Sequence, residues 1–281
     1  MPTALSLHIG VNEFDPSHYG NDGFLPLCEN DANAMRELAE NAGFEARQFL
    51  TRAATRDAVL AVISESAARL NSGDIFVMTN ACHGGQIVDG NGDETIDGKD
   101  ETICLFDAQL LDDEIYGAFA HFRAGVRILM VADSCNSASV ARAAFGRRPV
   151  IATCDRADDS RAVRRISGQT ARDTYNRNLE FYESVIENSR HVRDNAVVNC
   201  PVILLGGCED GQSSFDGSGA NGAFTEALLA SYAEGPSGGY KAFRNAIAGR
   251  LPTSGEYRQI PSLFRTGTTS ISFEAQSPFT I

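Results

Sequence analysis

Apolar residues along this 281-residue chain fall into short continuous runs, separated by stretches that repeat with a helical period. The runs predict strands over residues 4–11, 44–50, 74–81, 126–132 and 201–206, with a short strand near 261–264. Near-continuous runs of this kind suit strands covered on both faces. Between them, helices are predicted over 29–42, 55–70, 112–122, 222–233 and 240–250. In 55–70, Val59, Leu60, Ile63, Ala67 and Leu70 share one face. Asn30 and Asp31 sit near the start of 29–42, and Gly43 is its stop. Strands alternating with helices of this length need crossover connections, so the fold class is α/β: a mostly parallel central sheet with helices on both faces.

Two segments break the alternation. Residues 88–114 are rich in Asp, Glu and Gly, and Lys99 is their one basic residue. Residues 142–194 hold eleven arginines, mixed with Asp and Ser. Few large apolar side chains occur between about 155 and 175, which predicts an exposed loop, and 170–192 reads as a partly exposed helix.

The charge balance narrows the partners. A net charge of −13 argues against a nucleic-acid surface and fits a cationic substrate or a metal cation. Seven cysteines are scattered without a CxxC pair, and the first residues lack the pattern of a secretion signal. No apolar stretch is long enough to span a bilayer. The expectation is a cytoplasmic protein of 281 residues in one domain, with reduced thiols that are mostly small core hydrophobes.

The chemistry is concentrated at two strand ends. The run 74–81 leads into Cys82-His83-Gly84-Gly85, and 126–132 leads into Asp133-Ser134-Cys135-Asn136-Ser137. In open α/β sheets, sites collect beyond the carboxyl ends of strands. A thiol and an imidazole delivered there make a nucleophile–base pair, Cys135 and His83, with the Gly84 and Cys135 amides as an oxyanion hole. The pattern reads as a cysteine hydrolase. Cys82 neighbours His83, but consecutive residues on an extended chain face opposite ways, which points it away from the site.

These strings resemble the dyad motifs of metacaspases and their bacterial caspase-like relatives. The 52 residues from His83 to Cys135 fit that spacing. Leu27-Cys28-Glu29-Asn30-Asp31 resembles the family's early helix start, 93–101 its acidic insertion, and Gly222-Ala223-Phe224-Thr225 the opening of a late helix. The resemblance implies a caspase–haemoglobinase-like three-layer sandwich and a monomeric endopeptidase. It further implies cleavage of protein or peptide substrates after Arg or Lys, with Asp31, Asp133 and Cys28 in the P1 pocket. Buried carboxylates select a guanidinium through charge-assisted, forked hydrogen bonds. Asp31 has a plainer reading as a carboxylate at a helix N-terminus. Where the family usually carries Ser-Gly-His-Gly and Cys-His-Ser-Gly, this chain carries Ala81-Cys82-His83-Gly84 and Cys135-Asn136-Ser137-Ala138. A catalytically inactive interaction domain is therefore the alternative.

The resemblance also implies Ca²⁺ activation, with Asp100, Asp112 and Asp113 as ligands. Arg142 stands where a further acid is expected, and a solvated acidic hairpin is the competing reading. Finally, Arg147, Arg148, Arg156, Arg161, Arg164 and Arg165 offer cleavable bonds to an Arg-specific enzyme, which predicts self-processing. The plain alternative is a surface loop whose arginines pair with nearby acids.

Overall fold

The computed structural model describes residues 2–88, 99–134, 162–209, 212–236, 238–255 and 257–281. Its central sheet has six strands: β1 (Ala4–Gly10), β2 (Glu45–Leu50), β3 (Ile75–Ala81), β7 (Arg127–Asp133), β8 (Pro201–Gly206) and β9 (Ser262–Gly267). They run in the order β2-β1-β3-β7-β8-β9, parallel except for the last pair. The inner strands β1, β3, β7 and β8 are buried throughout, which is why each reads as a continuous apolar run.

Alternation along each inner strand divides the core into two faces. Phe76 and Met78 of β3 and Ile128 and Met130 of β7 pack on one side, against α3 (Arg56–Arg69) and α4 (Asp112–Phe119). Ile75, Val77, Leu129 and Val131 pack on the other, against α2 (Cys28–Asn41), α7 (Ala223–Ala233) and α8 (Gly239–Ala248). Helices on both faces of a mostly parallel sheet make a three-layer sandwich. Thr55 caps α3 by accepting from the Ala58 amide, and Gly43 turns the chain after α2 at φ +93°. The short helices α1 (Pro16–Tyr19) and α9 (Ile271–Ala275) complete the described helices with the pair below.

Three findings differ from the sequence reading. The acidic segment contains a second, antiparallel sheet of β4 (Gly84–Val88), β5 (Lys99–Cys104) and β6 (Gln109–Leu111). Several of its described acids are taken out of water: Asp100, Glu101, Asp112 and Asp113 are buried. The helix expected over 170–192 is two helices, α5 (Gly168–Arg177) and α6 (Leu179–Asn195), broken where the Asn178 amide nitrogen donates to the Thr174 and His18 carbonyls. Of the stretch expected as an exposed loop, residues 162–166 are threaded between β4 and the segment after β8, and Arg164 among them is fully buried. Polar composition misled there because tertiary carboxylates, not local apolar neighbours, take this side chain out of water.

Candidate active site

β3 and β7 are neighbours, and Ala81 is paired with Asp133 at their carboxyl ends. His83 therefore follows the last pair by two residues, and Cys135 follows it by the same count in sequence. Cys135 itself lies outside the described residues, as do Asn136, Ser137, Arg142, Arg147, Arg148, Arg156, Arg161 and the acids from Asp89 to Asp97.

His83 is buried and held firmly. Its carbonyl accepts from the Cys104 amide, and its ring lies 5.2 Å from that of Phe14. Nε2 donates to the Gly23 carbonyl at 3.0 Å. In the neutral ring this leaves the lone pair on Nδ1, a buried atom without a hydrogen-bond partner among the described residues. Burial pushes the imidazole down to about 4, against the opposing pull of the Gly23 carbonyl and the Arg165 backbone. The ring is thus neutral at pH 7 and able to accept a proton. Cys82 is fully buried and its thiol is pushed up to about 12 by burial, so it stays protonated and inert.

Beside His83 lies an acidic pocket filled by Arg164. Its Nη2 donates to Asp31 Oδ2 at 2.6 Å and to Asp216 Oδ1 at 3.1 Å. Nε reaches the same Asp216 oxygen at 3.3 Å. Nη1 meets Asp133 Oδ2 at 2.9 Å and the Asp133 carbonyl at 3.3 Å. These contacts match the five-donor fork of a guanidinium.

The acids are fixed from behind. Thr225 donates its hydroxyl to Asp133 at 2.7 Å, and the Ser214 hydroxyl donates to the other Asp133 oxygen. Gln259 in turn donates to Ser214 at 3.0 Å. Asp31 accepts from the Gly222 amide, the N-cap of α7, at 2.8 Å, rather than from its own helix. Burial raises Asp31 to about 6 even with Arg164 lowering it, and burial raises Asp216 as well. Cys28 is fully buried at the head of α2, close enough for Arg164 to act on its thiol electrostatically.

The backbone around Arg164 is extended and pinned on both edges. The Gly84 amide donates to the Arg164 carbonyl at 3.0 Å, and Ile166 donates to the Gly84 carbonyl at 3.1 Å. On the other edge, Arg164 donates to the Ser214 carbonyl at 3.0 Å and Asp216 donates to the Ala162 carbonyl at 3.1 Å. The structure thus gathers Asp31, Asp133, Cys28, His83 and Gly84 around one stretch of chain. Asp216 and Arg164 complete the group without having been assigned there from sequence. Asp216 had a usable signal: Ser213-Ser214-Phe215-Asp216 follows β8, at the end of the sheet where site loops collect.

Asp100 lies on β5, and Asp112 and Asp113 form the first turn of α4. Among the described residues no group of three or more His, Cys, Asp or Glu is gathered to hold a metal ion. The described residues alone therefore do not assemble the expected calcium site. No helix among them is long and apolar enough to cross a membrane.

The comparisons agree with this architecture. The family model described as Caspase domain matches residues 3–271. Metacaspase-1A from Neurospora crassa is 28% identical over 287 residues, covering 92% of this chain and 62% of the relative. Metacaspase-1 from Schizosaccharomyces pombe is 28% identical and is covered to 66% of its length. The chain thus spans a little under two thirds of these relatives. The crystal structure of protein GSU0716 from Geobacter sulfurreducens superposes with a TM-score of 0.82 at 38% identity, covering 99% of both chains. Caspase-1 from Spodoptera frugiperda shares the fold at a TM-score of 0.56 and 11% identity, covering 94% of this chain and 86% of its own. With a caspase-domain match over nearly its whole length, the chain belongs to the caspase-like cysteine peptidase family.

Proposed function

We propose that this protein is a cysteine endopeptidase that cuts polypeptides after arginine. The observation that carries the reading is the seat of Arg164: guanidinium on three carboxylates, carbonyl on the Gly84 amide. A substrate arginine in the same seat presents its carbonyl to the groups assigned to the chemistry. Cys135 attacks the carbonyl carbon, the Gly84 and Cys135 amides stabilise the oxyanion, and His83 passes the thiol proton to the leaving amine. Water then releases the acyl group and restores the thiol.

The pocket favours arginine over lysine. An ammonium has three donors and no planar fork, so it leaves some of these carboxylate oxygens without a partner. Self-cleavage within the arginine-rich segment belongs to the same reading. Calcium stands apart from the chemistry: any activation acts on the acidic edge near Asp100, Asp112 and Asp113, and no catalytic step runs through it.

Fluorogenic tetrapeptides differing only at P1 test the proposal, assayed with calcium and with chelator. The expected order is Arg, then Lys, with no turnover of Asp, and Cys135→Ala is inactive. Equal turnover by Cys135→Ala, or a preference for Asp, would overturn it. A wild type inactive under every condition, including on its own chain, leaves the interaction-domain alternative.

A further inference from the structure

We propose that Thr51 is a positioning residue for His83: its hydroxyl, held in place by a strained backbone, locks the loop whose Gly23 carbonyl fixes the imidazole. The proposal rests on the peptidase reading above and goes beyond it by naming a residue, across β1 from His83, on which the ring's orientation depends.

Thr51 follows β2 directly and has a backbone φ of +37°. A β-branched residue in that region is a true outlier, and glycine would stand there at far less cost. The turn itself does not demand threonine. Its hydrogen bond, from the Ala54 amide to the Thr51 carbonyl at 2.9 Å, is made by backbone alone. What threonine adds is a buried hydroxyl that works in both directions. Oγ1 accepts from the Asn12 amide at 3.1 Å and donates to the Glu29 carboxylate. Glu29 closes the ring of bonds, since its own amide donates to Asn12 Oδ1 at 2.9 Å. Leu27, the N-cap of α2, makes no side-chain bond to that helix, so Asn12 serves its start from outside. Three residues thus tie together the carboxyl ends of β1 and β2 and the first turn of α2.

The same Asn12 opens the loop that reaches His83. Its carbonyl accepts from the Leu25 amide at 2.7 Å, and the Phe14 amide donates to the Asp22 carbonyl at 2.6 Å. Gly23 lies between these two bonds, and its carbonyl accepts from His83 Nε2 at 3.0 Å. Gly23 has a φ of +51°, and a Cβ there would fall 2.2 Å from the Phe14 ring, the ring beside His83. The path from the strained residue to the imidazole is therefore continuous: Thr51, Asn12, the 22–25 turn, His83. Strain of this kind persists only where surrounding bonds over-determine it, and it collects at functional sites. Without the hydroxyl, Asn12 loses its anchor, and the carbonyl that keeps the proton on Nε2 and the lone pair on Nδ1 is free to drift. A second tie leaves the fold of the turn intact. The Ala54 carbonyl accepts from the Phe106 amide at 3.0 Å, and the Phe106 carbonyl accepts from the Asp15 amide at 2.9 Å. These bonds use backbone alone, so a substitution at Thr51 does not remove them.

The test compares full-length wild type, Thr51→Gly, Thr51→Ser and Glu29→Ala by two readouts. One is nitrogen-15 NMR of the His83 ring at pH 7, assigned by the signals that His83→Gln loses. The other is steady-state turnover of an Arg-aminomethylcoumarin peptide. Wild type is expected to show a protected Nε2–H and an unprotonated Nδ1. Thr51→Gly relieves the strain and removes the hydroxyl. Its His83 Nε2–H should exchange with water ~10-fold faster or more, and kcat should fall ~10- to 100-fold with KM little changed. Glu29→Ala, at a half-buried position, should act in the same direction and covers a Thr51→Gly that fails to fold. Thr51→Ser keeps the hydroxyl and should match wild type in both readouts. Ring spectra in Thr51→Gly and Glu29→Ala that match wild type overturn the inference, as does a Thr51→Ser impaired as deeply as Thr51→Gly. A wild type that turns over no peptide removes the peptidase reading, and the ring spectra then decide the role of Thr51 by themselves.

Discussion

Gly222 lies where a side chain would collide with the guanidinium. A Cβ built there falls 2.6 Å from Arg164 Cζ and 2.7 Å from Nη1, and the backbone, at φ −61°, is open to any residue. Gly222→Ala should therefore fold and lose affinity for arginine alone. Overpacking of about 1–3 kcal/mol corresponds to ~5- to 150-fold in kcat/KM. Unchanged kcat/KM on Arg peptides would show that the pocket takes something else. Asp31 supplies a second prediction. Burial raises it to about 6 even with the Arg164 guanidinium lowering it. Below that point the carboxyl is neutral and its grip on arginine weakens. The kcat/KM for Arg peptides should accordingly rise with pH through an inflection set by Asp31. Asp31→Asn should lower it ~100-fold and lose that inflection. A wild-type profile retained by Asp31→Asn would place the titration elsewhere. Much of this pocket was legible residue by residue: Asp31, Asp133 and Gly84 stand in recognisable strings. Arg164 was not, since nothing local distinguishes a buried arginine from its solvated neighbours when its partners lie 31 to 133 residues away.

At the level of elements, α5 and α6 form a brace across the small sheet. Tyr182, Val185, Ile186 and Ser189 fall on one buried face at helical spacing, so the sequence pattern was present, although its partner surface was not visible. Tyr182 is the centre of that face. It is fully buried, its hydroxyl accepts from the Gln109 amide at 3.3 Å, and its ring stacks with Tyr175. Tyr182→Ala removes a large aromatic side chain and should cost about 3–5 kcal/mol of stability. A melt within a degree of wild type would show that the brace lies elsewhere. The inner strands were readable because burial on both faces forces an unbroken apolar run. The small sheet was not, because β4 and β5 carry Gly, Gln, Asp and Glu and depend on antiparallel partners across the acidic segment. Burial of Asp100, Asp112 and Asp113 is likewise decided by packing that a composition count cannot see.

Across the whole molecule, buried titratable groups set opposing responses to acid. His8 sits inside β1 between the Ser6 and Thr79 hydroxyls at 2.9 Å each, and burial, with Arg36 adding to it, lowers it to about 3. His83 is lowered to about 4. A depressed histidine stabilises the fold fully above pH 6.5 and loses that contribution as pH falls, since the unfolded chain takes up the proton first. Asp31 acts in the opposite sense: with its folded value raised to about 6, the folded chain binds the proton first, and stability rises as pH falls from about 6 towards 4. Asp216 and Glu114, also raised by burial, act in the same direction as Asp31. A single acid-unfolding curve therefore mixes the signs, and the informative quantity is a difference. His8→Phe removes one proton site on β1 that has no catalytic assignment, and its loss of the two hydroxyl bonds shifts stability by an amount that does not depend on pH. Between pH 6.5 and pH 4.5 the wild-type histidine should give up about 2 kcal/mol that the variant keeps, less than the full 1.36 kcal/mol per pH unit because the unfolded histidine is already half protonated at pH 6.5. Urea midpoints at the two pH values should accordingly converge, wild type falling further than His8→Phe. Parallel pH dependences would mean that His8 carries its proton in the folded protein and that the strand around it is open to water.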